Sequence, residues 1–142
     1  MSGVHHVTFV VRDLDASVAW FEAVLGAEHQ SRFDHHDADG VRFGVILQLA
    51  GFPGMVELRI ATDDYPLPAG YDPVTFQVAD DAELERWFDH LEKYGVDHSP
   101  IKRRRTGRSI EFFSPDHVVL RLFTAPIGGF DEVPFQEQHV DL

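Results

Sequence analysis

Imidazole, carboxylate and guanidinium groups are the side chains with which this sequence could do chemistry. The chain contains nine histidines and no cysteine, so disulfides, thiolate metal ligands and a cysteine nucleophile are excluded. It also lacks a glycine-rich phosphate loop and the Gly-x-Ser-x-Gly turn of nucleophilic hydrolases. The chemistry left to consider is acid–base catalysis, metal binding or recognition of a charged ligand.

His6 and Glu57 are the two residues that suit acid–base work. His6 follows His5 at the start of a strand-like run, and neighbours on a strand point to opposite faces. Alternation then groups His6 with Thr8 and Val10. A carboxylate partner orients an imidazole and makes it a more effective general base, and Glu57 is the candidate partner. The alternative is a strand-end histidine that is simply hydrogen-bonded to Glu57.

Further polar side chains fall at alternating positions of the predicted strands, where alternation directs them towards one concave surface. We expect this set to contact a substrate, and it consists of Gln48, Glu57, Arg59, Thr75, Gln77, Glu111 and Arg121. Two roles for Arg121 stay open. It binds an anionic or enolate-like oxygen of a small ligand, or it forms a buried salt bridge with Glu57 or Glu111.

Two other polar clusters are expected to be surface features. The basic run 102–105 (KRRR), together with Arg108, either steers an acidic substrate or forms a solvated hairpin, and we expect the hairpin. His35 and His36 stand beside Asp34 near a predicted hairpin. Because adjacent histidines on a strand end diverge, this run indicates a surface loop rather than a metal site.

The elements that would position these residues occur twice in the chain. The run 7–11 (VTFVV) recurs as 74–78 (VTFQV), at an offset of 67 residues. The other matched pairs are Trp20 with Trp87, Phe21 with Phe88 and, at an offset of 69, Gly26 with Gly95. A strand, a helix face and a terminating glycine thus repeat in the same order, which indicates a duplicated module.

Each copy has the pattern of one strand, one helix and three further strands. In the first copy the strands are predicted at 4–11, 28–36, 41–49 and 55–61, and Asp13 or Asp15 caps a helix that ends at Leu25. In the second copy they are predicted at 73–78, 98–103, 108–113 and 118–123, with a helix at 82–94. The modules are therefore 1–61 and 73–124. A polar linker with two prolines covers 62–72, and 125–142 is a tail that we expect to be partly disordered.

With the motifs HHVTFVVRDLDASVAWFEAVLGAE and GRSIEFFSPDHVVLRLF, the chain resembles the vicinal oxygen chelate superfamily. That superfamily includes glyoxalase I, the bleomycin-resistance proteins and the extradiol dioxygenases, and the resemblance covers about residues 3–125. It implies an α+β fold of two tandem βαβββ modules. Each four-stranded mixed sheet curls into a half-barrel, with the helix outside and the site in the concave side.

Metal-using members of that superfamily hold a divalent ion with four ligands, and the resemblance places these positions on His6, Glu57, Pro73 and Arg121. Proline has no donor atom and arginine stays cationic, so half of the implied site is lost. We therefore expect no cofactor, and at most a partial metal site at His6 and Glu57. A dioxygenase is disfavoured because its two-histidine, one-carboxylate triad would include Pro73 and Arg121.

Three functions are compatible with the resemblance. The first is binding of a small organic molecule, neutral or anionic, with lysis or isomerisation by His6 and Glu57. The second is non-catalytic sequestration of an antibiotic or metabolite. The third is a lyase or dioxygenase that depends on a divalent metal.

The charge and hydropathy of the chain bound its partners. A net charge of −12 disfavours nucleic acid and anionic membranes, since both repel an acidic protein. No apolar run approaches the roughly 18 residues of a membrane-spanning helix, and no secretory signal is expected. We expect a cytoplasmic protein, and the resemblance implies a homodimer with a small-molecule ligand.

Overall fold

Two mixed β-sheets, each with one helix, make up the architecture. The computed structural model describes residues 1–133. In each sheet the first strand pairs in parallel with the last, and the remaining neighbours are antiparallel. The chain is thus an α+β protein of two βαβββ-like modules, which confirms the fold class predicted from the repeat.

The first module lacks the long second strand that we predicted over 28–36. Two short strands, separated by a 3₁₀ turn at Ser31–Phe33, take its place. Asp34 follows this turn and accepts a hydrogen bond from His29 Nε2 at 2.8 Å, which holds the two short strands in position. The elements are β1 His6–Val11, α1 Leu14–Leu25, β2 Glu28–His29, β3 His35–His36, β4 Arg42–Gln48 and β5 Met55–Ile60.

The sheet order of the first module is β1-β5-β4-β2, and β3 also pairs with β4. The second module has the order β6-β9-β8-β7. Its elements are β6 Val74–Val78, α2 Asp81–Lys93, β7 Lys102–Arg104, β8 Gly107–Phe113 and β9 Val119–Thr124. A 3₁₀ turn at Phe130–Glu132 follows, and residues 134–142 of the predicted tail lie outside the described residues.

Both helices begin at an aspartate that satisfies free backbone N–H groups. Of the two candidates, Asp13 caps α1, since its Oδ1 accepts a hydrogen bond from the Ala16 N–H at 2.8 Å. Asp80 caps α2 in the same way. Gly26 ends α1 with a φ of 64°, a left-handed conformation that glycine adopts without strain.

Each sheet has an apolar face, packed on its helix, and a polar face on the opposite side. Phe9 of β1 is 3% exposed and packs on Phe21 of α1. The apolar faces of both sheets belong to one core, because Trp20 of α1 stacks on Phe112 of the second sheet. The polar faces therefore point away from this shared core. No helix within residues 1–133 has the length and apolar character to cross a membrane.

Candidate functional site

Glu57 lies at the centre of the polar face of the first sheet. The parallel β1–β5 register places Thr8 beside it on one side, and the β4–β5 register places Ile46 on the other. Glu57 is only 5% exposed. The Thr8 hydroxyl donates a hydrogen bond to Glu57 Oε2 at 3.0 Å and fixes that oxygen.

Three basic side chains surround the Glu57 carboxylate without hydrogen-bonding to it. His6 Nε2 lies 3.5 Å from Oε2, while His35 Nε2 and Arg59 Nη1 each lie 3.9 Å from Oε1. These separations exceed those of direct N–H···O hydrogen bonds. Oε1 is buried and has no hydrogen-bond partner among residues 1–133. A buried carboxylate oxygen without a partner is costly, and such atoms concentrate at functional sites.

His35 is a member of this group that the sequence interpretation missed. Our expectation of a surface loop holds only for exposure, because the His35 side chain is 46% exposed but His35 belongs to β3 and pairs with Gly44 of β4. A Cβ atom at Gly44 would lie 3.1 Å from His35 Cδ2 and 3.2 Å from Glu57 Oε1. The missing side chain at Gly44 thus lets the imidazole approach the carboxylate. A glycine inside a predicted strand was the available signal.

Arg59 is held by aromatic rings at the same face. Its Cζ lies 4.1 Å from the ring centroid of Tyr65 and 5.2 Å from that of Phe43. Tyr65 comes from the segment 62–72 that we interpreted as a linker. His35 in turn stacks on Phe43, with 5.8 Å between the ring centroids. The segment after β5 therefore contributes to the site.

Arg121 lies on the polar face of the second sheet, in an ionic network. Its Nη2 lies 2.9 Å from Asp72 Oδ2 and 3.4 Å from Glu111 Oε1. Glu111 also pairs with Arg104 at 2.9 Å and with Lys102 at 3.5 Å. Of the two roles left open for Arg121, the structure contains the salt bridge with Glu111.

The predicted contact residues are thus divided between two faces. His6, Glu57 and Arg59 come together, whereas Glu111 and Arg121 form a separate group. Within the part of the chain that the structure describes, no ion pair joins these two groups. The remaining three are exposed, and none of them hydrogen-bonds to Glu57: Gln48 at the end of β4, and Thr75 and Gln77 of β6.

The basic run is not a uniform solvated hairpin. Lys102 and Arg104 pair with Glu111, as described above. Arg108 instead turns towards α2, where it pairs with Glu85 at 3.2 Å and Asp81 at 3.3 Å. The hydrogen bond to Glu85, assisted by Asp81, raises the pKa of Arg108 above its ordinary value. This arginine therefore links the second sheet to its helix.

The residues present do not fit the four-ligand metal centre that the resemblance implies. Pro73 directly precedes β6 and offers no donor atom, and the Arg121 guanidinium is paired with acidic residues. Among residues 1–133, no group of three or more histidine, aspartate and glutamate side chains could hold a metal ion. His6 and Glu57 alone would supply two ligands, fewer than a divalent ion requires.

Comparisons with known proteins agree with this fold. The family model of the Glyoxalase/Bleomycin resistance protein/Dioxygenase superfamily matches residues 3–122. The fosfomycin resistance protein FosX of Mesorhizobium japonicum is 26% identical over 129 residues, which cover 89% of this chain and 88% of the relative.

Two solved structures share the fold at lower identity. FosX of Listeria monocytogenes superimposes with a TM-score of 0.71 at 21% identity, covering 90% of this chain and 97% of that one. TnmS3, an antibiotic binding protein from Streptomyces sp. CB03234, superimposes with a TM-score of 0.72 at 20% identity, covering 89% and 97%. The chain belongs to the glyoxalase/bleomycin resistance protein/dioxygenase superfamily.

Proposed function

We propose that the protein binds a small organic molecule at the polar face of its first sheet, with Glu57 as the hydrogen-bond acceptor. The observation that carries this proposal is the buried Glu57 Oε1, for which the described part of the chain provides no hydrogen-bond partner. A carboxylate removed from water is stable when donors compensate for its lost hydration. A hydroxyl or amine of a ligand would supply the missing donor.

The spacing around Glu57 suits a shared ligand oxygen. A gap of 3.9 Å separates Oε1 from His35 Nε2 and from Arg59 Nη1. One ligand hydroxyl lying about 2.8 Å from Oε1 and from one of these nitrogens would bridge the gap. It would donate a hydrogen bond to the carboxylate and accept one from the nitrogen. The covering side chains, His35 and Arg59, are 46% and 31% exposed. Rotation of the more exposed His35 would open Oε1 to a ligand.

The relatives supply the ligand classes to test first. The curated relative is a fosfomycin resistance protein, and one structural relative is an antibiotic binding protein. A FosX of Listeria monocytogenes is known in complex with Mn(II) and dihydroxypropylphosphonic acid. Because Pro73 and Arg121 replace metal ligands in this chain, we propose binding without a divalent metal.

A second candidate function is isomerisation or lysis by proton transfer. His6 Nε2 lies 3.5 Å from Glu57 Oε2, and Thr8 holds that oxygen in place. Glu57 would take a proton from a carbon beside a carbonyl, and protonated His6 would return one to the neighbouring atom of the ligand. The proton on Glu57 would then pass to His6 and restore the pair.

We also propose that a second copy covers the site in a homodimer. The two polar faces point away from the shared core, and Thr8 and Thr75 are exposed on them. A ligand on either face would therefore stay open to solvent unless another chain covers it. Light scattering on the purified protein tests this, and a monomer at micromolar concentration would contradict it.

Calorimetric titration with fosfomycin and a panel of antibiotics tests the binding proposal. We expect at least one of these compounds to bind the wild type in the presence of EDTA. Glu57→Gln should weaken the binding of that compound about tenfold or more. Glu111→Gln is the matched control on the second sheet and should bind as the wild type does. Equal binding by Glu57→Gln would disprove the site, and loss of binding in EDTA would disprove the metal-free mode.

Turnover distinguishes the enzyme from the binding protein. The bound ligand is incubated with the wild type and with His6→Ala, and its NMR spectrum is followed. Conversion by the wild type, with normal binding but no conversion by His6→Ala, would establish the enzyme. An unchanged ligand with the wild type would leave a binding protein.

A further inference from the structure

Arg59 is a guanidinium group fixed in place beside the proposed ligand site. It lies over the Tyr65 ring at 4.1 Å and near the Phe43 ring at 5.2 Å, measured from Cζ to the ring centroids. Stacking on aromatic faces fixes the plane of a guanidinium and leaves its N–H groups directed sideways. The orientation of Arg59 is therefore set before any ligand arrives.

No hydrogen bond within residues 1–133 uses the N–H donors of Arg59. Its ion-pair partner, Glu57 Oε1, is 3.9 Å away, and the described residues provide no hydrogen-bond acceptor for it. Arg121 Nη2, by contrast, lies 2.9 Å from Asp72 Oδ2, although the buried Nε of Arg121 has no hydrogen-bond partner among residues 1–133. Arg42 likewise hydrogen-bonds to Asp15 and Asp34. Arg59 thus keeps its planar set of donors for another acceptor.

Resting on the proposed function, we propose that Arg59 is an oxyanion subsite, so that the ligand carries a carboxylate or phosphonate next to the hydroxyl that Glu57 binds. A guanidinium binds such groups through two parallel N–H···O hydrogen bonds. His35, whose Nε2 is also 3.9 Å from Oε1, provides a further donor on the same side. The short spacing between Arg59 and Glu57 fits two groups on adjacent atoms of one ligand.

An NMR titration of the full chain with four small probes tests this subsite. Glycolate and hydroxymethylphosphonate carry both groups, methylphosphonate lacks the hydroxyl, and ethylene glycol lacks the anion. Arg59→Met removes the donors, and Arg32→Met is the matched control, since Arg32 also stacks on a ring, that of Phe33 at 4.6 Å. Glu57→Gln tests the neighbouring site in parallel.

We expect both two-group probes to shift amide signals of β1, β4 and β5 in the wild type. Arg59→Met should weaken their binding about tenfold or more, with ethylene glycol and Arg32→Met unaffected. Glu57→Gln should weaken the binding of ethylene glycol, whereas the binding of methylphosphonate should still depend on Arg59. The relative affinities of glycolate and hydroxymethylphosphonate show which oxyanion fits better.

The two proposals fail in different ways. If Arg59→Met binds the two-group probes as the wild type does while Glu57→Gln loses them, the oxyanion subsite is disproved and the Glu57 site stands. If no probe shifts signals of the first face at millimolar concentration, both are disproved. Arg59→Lys keeps the charge without the planar fork, and wild-type affinity in that variant would also overturn the subsite.

Discussion

On the polar faces of both sheets a threonine lies beside a charged residue at equivalent positions, but the charged residue has a different neighbour on its other side. Thr8 pairs with Glu57 across β1 and β5, and Thr75 pairs with Arg121 across β6 and β9. The neighbour on the other side is Ile46 in the first sheet. In the second sheet it is Glu111, a counterion for Arg121.

That neighbouring strand decides whether the charge is neutralised within the protein. Isoleucine offers Glu57 no donor, and among the described residues Oε1 has no hydrogen-bond partner, while the basic groups lie 3.5–3.9 Å from the carboxylate. In the second sheet, Glu111 lies 2.9–3.5 Å from three cationic side chains and forms ion pairs with them. We infer that the first face is kept for a ligand and that the second contributes to stability.

The largest difference in stability between the two faces is expected when a methyl group is added at Gly107 of the second sheet. A Cβ there would overlap Thr124 Oγ1, which accepts a hydrogen bond from the Arg108 N–H, and would lie 3.1 Å from the Thr124 carbonyl oxygen. Overpacking against a backbone atom leaves little room for relaxation, so Gly107→Ala should lower the free energy of unfolding by about 3 kcal/mol. Urea denaturation measures it, and a loss below that of Gly44→Ala would contradict the inference that the second face contributes to stability.

The next largest difference is expected between the stabilities of variants at the two carboxylates, Glu111 and Glu57. Glu111→Gln leaves Lys102, Arg104 and Arg121 without their shared counterion, and we expect a loss of about 2 kcal/mol that shrinks in high salt. Glu57→Gln removes a buried charge that has one hydrogen bond, so stability should stay equal or rise by about 1 kcal/mol. Urea denaturation of both variants checks this. A larger loss in Glu57→Gln would mean that its basic neighbours stabilise it.

Local patterns were enough to predict most of the fold. Alternation located the strands, and capping aspartates with terminating glycines located the helices, because these signals act over a few neighbouring residues. The strand over 28–36 was predicted wrongly because its break depends on Asp34, which holds His29 of β2 and Arg42 of β4. Such side-chain bonds between strands leave no periodic signal.

The site was predicted less completely for the same reason. His6, Glu57 and Arg59 lie together as alternation and the family resemblance suggested. His35 reaches them through the space left by Gly44, and Tyr65 covers Arg59 from a segment that looked like a linker. The separation of the two polar faces follows from helix packing between modules, such as Trp20 on Phe112, which one strand's pattern cannot show.

Gly44 tests how closely the first face must fit its ligand. A Cβ atom there would lie 3.1 Å from His35 and 3.2 Å from Glu57, both of them side-chain contacts that can yield. We therefore expect Gly44→Ala to change the free energy of unfolding by no more than about 1 kcal/mol, while ligand affinity falls about fivefold. Titration and urea denaturation of the same protein measure both. Unchanged affinity would mean that the ligand does not need His35 and Glu57 in their present positions.

Thr8 should give the smallest effect, because its hydroxyl acts on the ligand only through Glu57. Thr8→Val removes the 3.0 Å hydrogen bond to Oε2, which should cost less than about 1 kcal/mol of stability and weaken ligand binding about threefold. Thr75→Val is the matched control, since Thr75 is also exposed, lies beside Arg121 and makes no side-chain hydrogen bond to it. Equal affinity in Thr8→Val and the wild type would mean that burial beside Ile46, rather than the threonine, orients the carboxylate. Equal losses in both valine variants would instead mean that the ligand spans both faces, which requires the second copy of the chain.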